Sequence, residues 1–519
     1  MSFRIAKPLI YSLISAQIAG CMVGPDYVRP EVKNLSEAKE FKEVKGWKQA
    51  QPRDNVLSGK WWEIFNDPDL SKLESQVATA NQSIIQAEAQ FRQAEHLVLT
   101  AESALLPSAT MNGSAQRFVA PSGGNFAPVG GVRNTFSNSI SGSWQLDLWG
   151  SVRRQIEANV DNAQASAATM QALILSSQST LALNYFQLKI LDEQKKLMEE
   201  TVAAFNKTLE ITKNRYAAGI VAKSDVVQAE AQLESTRAQV INLGVQRAKF
   251  EHAIAVLVGK APGQLTLPYA EFSTKLPSVP VSLPSELLER RPDIAAAERQ
   301  AAAANASVGV AKAAYFPTVN LSANDGFQGS LLDTLYTAAR NYWTLGPASA
   351  ALVIFDGGAK NAQYKQRIDA FDASVANYRQ KVLTAIQEVE DNLAALRILE
   401  EQSDVQNKAL AAANEALALT INQYQAGTVS YINVMTAQTN ALNNRVETVK
   451  LQGSRLGASV QLITALGGGW DLNRVPNSEQ IGGEIKWTDY MNIPGVDQGK
   501  SENTVSTSLS DLLQFHILP

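Results

Sequence analysis

Two stretches of the chain, Ser151 to Ala218 and Ala359 to Ala426, contain neither glycine nor proline. Each is 68 residues long and stops at a glycine, Gly219 or Gly427, of the kind that ends a helix. At 1.5 Å per residue each would extend about 100 Å, which is rare in a globular domain and implies a coiled arrangement. Val382, Ile386, Val389, Leu393 and Leu396 alternate four- and three-residue spacings, a seam for partner helices. The positions 208 residues earlier are Ile174, Gln178, Leu181, Tyr185 and Leu188, so both stretches carry the seam in one register.

Ahead of each long helix the period changes to two. From Thr135 to Leu148, Phe136, Ile140, Trp144, Leu146 and Leu148 share one face. Thr135, Ser137, Ser139, Ser141, Ser143, Gln145 and Asp147 share the other. Val319, Leu321 and Ala323 alternate with Thr318, Asn320, Ser322 and Asn324, while Trp343 to Phe355 is less regular. An apolar face backed by small polar residues suits a strand between lipid and water, although a soluble sandwich would also use it. The pattern predicts four long strands, between Pro107 and Gly150 and between Pro317 and Gly358. Four cannot close a barrel, and open edges are not tolerated in lipid, so several chains must share one. Three chains would give about twelve strands, an even number in the usual range.

The chain is therefore duplicated. Gly219 and Gly427 are 208 apart, as are Gly150 and Gly358, and Leu106-Pro107 resembles Phe316-Pro317 at an offset of 210. Each half reads helix, strand, loop, strand, very long helix, turn, helix. The expected division is residues 1–20 as a signal peptide, 21–70 as an N-terminal segment and 71–260 as the first repeat. Then follow 261–284 as a proline-rich linker, 285–469 as the second repeat and 470–519 as a tail, its last thirty or so residues poorly ordered or draped on the surface.

Composition narrows the function. Net charge is −4 and no basic tract occurs, which argues against a nucleic-acid partner. His96, His252 and His516 are far apart in sequence, so no metal-ligand spacing or cofactor is expected, and Gly467-Gly468-Gly469 lacks the lysine of a phosphate loop. Catalysis is not expected. Arg4 and Lys7 precede an apolar run from Leu9 to Ala19, which reads as a secretory signal. The single cysteine, Cys21, follows Ile18-Ala19-Gly20 in a run that resembles a bacterial lipobox. That resemblance implies that Cys21 is acylated and becomes the first mature residue, and Met22 in place of aspartate points to the outer membrane.

Several segments together resemble the TolC-like outer membrane factors, in the lipoprotein branch that includes OprM and NodT. They are Cys21-Met22-Val23-Gly24-Pro25-Asp26-Tyr27, Trp61 to Pro68, Arg290-Arg291-Pro292-Asp293-Ile294, Phe355-Asp356-Gly357-Gly358 and Ala465 to Trp470. The resemblance implies a mainly α protein with membrane β structure: a trimeric outer-membrane β-barrel, four strands from each protomer, continued by a periplasmic α-helical coiled-coil barrel. An equatorial belt would collect the N-terminal segment, the linker and part of the C-terminal region, with Trp61, Trp62 and Trp470 as packing anchors. The homotrimer would take cargo from an inner-membrane pump through a periplasmic adapter (membrane fusion) protein, conducting it passively. Drugs, organic acids, metals and peptides are all exported by relatives. A periplasmic coiled-coil scaffold lipoprotein is the alternative, and it leaves the alternating strands unexplained.

The resemblance also nominates residues. Ala218-Gly219-Ile220 and Ala426-Gly427-Thr428 would lie at the periplasmic tip, capping helices and docking the adapter. Asp225 and Tyr424 match a gate pair, with Ser224 beside the first; Ser224 or Asp225 as a plain helix cap is the other reading. Ile432 matches an apolar constriction. Asn433 and Thr436 stand where many relatives carry an aspartate ring, and Val429 where some carry a gate arginine, so the ionic lock of the family is missing at these positions.

Overall fold

The computed structural model describes residues 22–32, 41–44, 60–120, 131–270, 276–277, 291–468, 470, 475–478 and 480–481. The first repeat comprises helix α1 (Pro68–Ala80), α2 (Gln82–Ser103), strands β1 (Ser108–Ala120) and β2 (Gly131–Leu146), α3 (Ser151–Ala217) and α4 (Lys223–Leu257). The second comprises α5 (Pro292–Ala313), β3 (Thr318–Gly329), β4 (Asn341–Leu345), β5 (Ser349–Ala351), α6 (Ala359–Gln425) and α7 (Tyr431–Ala465). Both long helices have 67 residues, the helices after them 35, and α2 and α5 22 each. No described helix is long and apolar enough to cross a membrane.

The strands form one antiparallel sheet in the order β1-β2-β3-β4, with β5 also on β3. The last expected strand is thus two pieces separated at Gly346-Pro347, because proline has no N–H to give to the ladder. Met111, Ile140 and Trp343 stand exposed on one face. Asp325, opposite Ile140, interrupts that face and accepts a 3.1 Å hydrogen bond from Asn341. Ser108, Ser114, Ser137 and Ser143 pair through their hydroxyls on the other face. β2 ends two residues before the alternation does. Asp147, expected on the polar strand face, is buried and accepts from the N–H groups of Val152 and Arg153, both at 3.0 Å. A carboxylate satisfies the orphan donors of a helix start better than it would serve a strand.

The heptad seam is the core. Val382, Val389, Leu393 and Leu396 are buried, as are Ile174, Gln178, Leu181, Tyr185 and Leu188. Around their middle gather Phe41, Trp61, Trp62 and Phe65, with Leu265 and Leu267 of the linker packed against the same cluster. Trp470 packs on Ala168, Ala295 and Ala296. The linker's start is tied by Arg247, which donates to the Leu267 carbonyl and to the buried Asp192, each at 2.7 Å. The rest of the linker is largely, and the final thirty residues wholly, outside the described residues.

Candidate functional site: the helical tip and the N-terminal strap

The hairpins α3–α4 and α6–α7 turn through the same motif. Ile220 N–H donates to the Arg215 carbonyl and Gly219 N–H to that of Tyr216, both at 2.9 Å. Thr428 and Gly427 do the same to Gln423 and Tyr424 at 3.0 Å. This closure requires positive φ at the glycine, and Gly219 and Gly427 have φ of 72° and 80°. Ala218, Gly219, Ile220, Ala426, Gly427 and Thr428 are all exposed. No atom of the described residues lies within 4 Å of where a Gly219 side chain would begin, while Gly427 lies 3.6 Å from the Arg215 guanidinium by the same measure.

Beneath the turns, Phe205, Leu209, Leu233, Tyr424, Tyr431 and Val434 join the two hairpins in a small apolar core, with Val429 packed on it. Tyr424 is its junction. Its ring lies 4.6 Å from the Arg215 guanidinium and meets Tyr431 edge-on at 5.9 Å. Its hydroxyl shares a 3.2 Å hydrogen bond with Thr212, and Arg215 donates to its carbonyl. Arg215 and Thr212 belong to the first repeat and Tyr424 to the second. At the 208-residue offset their equivalents are Gln423, Thr420 and the exposed Tyr216, so this tie exists on one side only.

Within one chain Tyr424 therefore engages Thr212 and Arg215, and no hydrogen bond joins it to Asp225. Asp225 stands near Tyr431, whose hydroxyl is pushed up to about 12 by burial first, then by Tyr424 and Asp225. Neither Ser224 nor Asp225 caps the helix. Ala222 is the N-cap and makes no side-chain bond, so both lie within the first turn, where Asp225 faces a favourable macrodipole. Ile432, Asn433 and Thr436 are exposed on the opposite side of α7 from its core residues Tyr431 and Val434. Sequence reasoning missed Thr212 and Arg215. The signal was the repeat asymmetry, arginine against glutamine at one register position.

At the other end lies a strap, residues 22–32. Val23 N–H donates to the Trp149 carbonyl at 3.1 Å, and Asn305 donates to the Pro25 carbonyl at 3.0 Å. Arg154, buried, pairs with Asp26 at 2.6 Å and Glu157 at 2.7 Å. The backbones meet so closely that a Cβ on Gly24 would stand 2.6 Å from the Gly309 Cα. The strap starts against Gly150, where β2 passes into α3, and runs along α5 to Arg379, which donates to the Glu31 carbonyl. Cys21 itself lies outside the described residues.

Between strap and C-terminal segment, Arg299 bridges Glu298 at 2.6 Å and Asp161 at 3.2 Å. Burial, outweighing Arg299, pushes the Asp161 carboxyl up to about 7. A raised carboxyl means that the unfolded chain ionises first as pH rises, so this contribution is present at about pH 4 and lost towards pH 7. Asp161→Asn keeps an acceptor for Arg299 without the charge. Thermal midpoints in detergent at pH 5 and pH 8 should differ less for this variant than for the wild type, by about 2 °C or more. Equal pH dependence would show that Asp161 is ionised throughout.

The duplicated helical hairpins and the two-faced sheet are the architecture of an outer-membrane export channel. Two segments, residues 73–260 and 283–468, match the family described as outer membrane efflux protein, and the chain belongs to that family. It is 29% identical over 483 residues to the toluene efflux pump outer membrane protein TtgC of Pseudomonas putida, covering 90% of this chain and 96% of that one. It is 31% identical over 421 residues to the pyoverdine export outer membrane protein OpmQ of Pseudomonas aeruginosa, covering 80% and 88%. The solved outer-membrane channel OprN superposes with a TM-score of 0.80 at 28% identity, covering 87% of this chain and all of that one. The protein is the outer-membrane channel component of an efflux pump and not an enzyme.

Proposed function

We propose that three copies close one barrel, anchored by lipid at Cys21, and that the helical tip docks a periplasmic adapter carrying cargo from an inner-membrane pump. The carrying observation is the open sheet: among the described residues, β1 at one edge and β4 with β5 at the other have no further strand paired with them, beside an exposed apolar face. Lipid tolerates neither edge, so further copies must pair with them. The long helices ask for the same partners, since Ile398, Val405 and Leu419 lie exposed at heptad multiples along α6. Heat-modifiable migration in detergent tests this: a chain that runs as a monomer before heating would sink the shared barrel.

The strap supports the anchor. Met22 lies against Gly150 at the base of the sheet, and Cys21 precedes it, so an acyl chain there would enter the bilayer beside the barrel. Cys21→Ser is expected to abolish the lipid mass increment of the mature chain. Some trimer should still reach the outer membrane, because the sheet itself has membrane affinity. Intact-mass detection of an unprocessed, unmodified wild-type chain would remove the anchor.

Gating is assigned to the tip. Tyr424, held by Thr212 and Arg215, fixes how far α6 sits from α3. Ile432, Asn433 and Thr436 line the aperture in this reading, Ser224 and Asp225 flank it, and closure rests on apolar packing more than on a carboxylate ring. Thr436→Asp would restore such a ring. It should sharpen cation selectivity in planar bilayers, and unchanged reversal potentials would move the aperture elsewhere.

A further inference from the structure

At the end of the sheet away from the long helices, the strand ladder is incomplete. β1 pairs with β2 up to Gly131, but β3 stops at Gly329, opposite Phe136. Val132 to Thr135 therefore have no strand beside them on that side, and a notch of about 790 Å³ opens there. Phe118, Arg133, Thr135, Gln328, Arg340 and Tyr342 contribute to its walls, and no Asp or Glu lines it. The guanidinium groups of Arg133 and Arg340 make no hydrogen bond or ion pair among the described residues, although those of Arg153, Arg154, Arg247, Arg291 and Arg299 are all paired.

The surrounding sequence does not supply the missing charge. No acidic residue occurs between Ser103 and Leu146, and between Gly326 and Leu345 the only one is Asp333, which does not line the notch. Asp325 lies on the apolar face with Trp343 and is engaged by Asn341. Among the neutral polar side chains there, Thr135, Gln328 and Tyr342 each carry a donor; Tyr342 already accepts from Asn324 at 3.4 Å, which leaves its phenolic proton to give. Two guanidiniums with neutral donors and no carboxylate form a site for a phosphate group.

Depth points to where that phosphate resides. From Leu146 to Arg133 the strand runs about 43 Å at ~3.3 Å per residue. Tilted by about 40°, it rises about 33 Å, beyond the ~25 Å apolar band of a membrane barrel. The notch then stands above the apolar band, at the channel mouth, with Arg133, Thr135, Gln328 and Tyr342 on the polar, water-facing side of the sheet. We propose that the Arg133–Arg340 notch binds a phosphate group, either of a phosphorylated glycolipid head group or of a free phosphorylated solute at the channel mouth. This rests on the reading that the sheet crosses the outer membrane.

The test uses the full-length protein purified as its assembled oligomer. Two probes are compared: inorganic pyrophosphate by calorimetry, and retention of a diphosphorylated glucosamine glycolipid, against its dephosphorylated form, by native mass spectrometry after exchange from phosphatidylethanolamine nanodiscs. Arg133→Gln/Arg340→Gln should lose at least tenfold in affinity or retention. Arg117→Gln, which changes an arginine outside the notch, should not, and Arg133→Lys/Arg340→Lys should be intermediate. Selective retention of the phosphorylated lipid supports the lipid source, and pyrophosphate binding without lipid selectivity supports the solute source. Equal binding of both probes by wild type and the glutamine variant overturns the site, as does no binding by either. Conductance of the same preparations keeps the two readings apart: loss of the notch leaves an active channel, whereas a wild type without conductance would refute the channel assignment itself.

Discussion

Gly427→Glu is expected to abolish export while trimers remain intact. The glycine closes the α6–α7 turn at φ 80° and is exposed at the extreme of a 67-residue helix. A non-glycine residue there costs roughly 1–2 kcal/mol of local strain, small against the buried seam that holds the long helices together. The larger effect is at the surface. Glutamate puts a flexible charge where an adapter backbone must approach, and its burial without a partner costs several-fold to many-fold in affinity. Two controls separate strain from obstruction. Gly427→Asn adopts the same backbone more readily and should still impair docking in part, whereas Gly427→Ala carries the strain with little bulk and should retain most export. Drug-susceptibility assays and adapter crosslinking would measure both. Normal export and crosslinking by the glutamate variant would mean that the tip is not where the adapter binds.

The second large effect is expected from Arg215→Ala, as increased conductance in planar bilayers. Arg215 stacks on the Tyr424 ring at 4.6 Å and donates to its carbonyl, joining the last turn of one long helix to the last turn of the other. A charge-assisted hydrogen bond contributes roughly 1.5–3 kcal/mol, and cation–π stacking about 0.5–2 kcal/mol. Even the lower sum, about 2 kcal/mol, shifts a closed-to-open ratio by more than about tenfold in each copy. Tyr424→Phe removes only the Thr212 bond and should give a smaller increase. Asp225→Ala should do less than Arg215→Ala, since Asp225 has no side-chain hydrogen bond to Tyr424 within the chain. If Arg215→Ala conducts as the wild type does, the tie is a packing feature and closure resides between protomers.

Much of this architecture was legible because it is periodic. Glycine-free runs ending at Gly219 and Gly427, a seam repeating every seven residues, and alternation from Thr135 to Leu146 are local properties, and each has one economical structural solution. Misreadings fell where the chain changes state. Asp147 continues the alternation but folds back to serve the next helix, and the expected fourth strand divides at Pro347. The N-cap before α4 is Ala222, though two better capping residues follow, because the turn geometry is set by Gly219 and the close pairing of α3 with α4.

The sequence alone determined the duplicated plan, the lengths of the helices, the two-faced strands and the place of the hairpin turns, since short-range sterics and hydrophobic period decide all of these. Only the tertiary structure decided which partners the polar residues take. Arg215 meets Tyr424 across 209 residues, Arg154 meets Asp26 across 128, and Arg299 meets Asp161 across 138. It also decided that Arg133 and Arg340 share one notch. Such pairings depend on how the two repeats and the N-terminal strap pack against one another, and no local period encodes which charge will be carried to which neighbour.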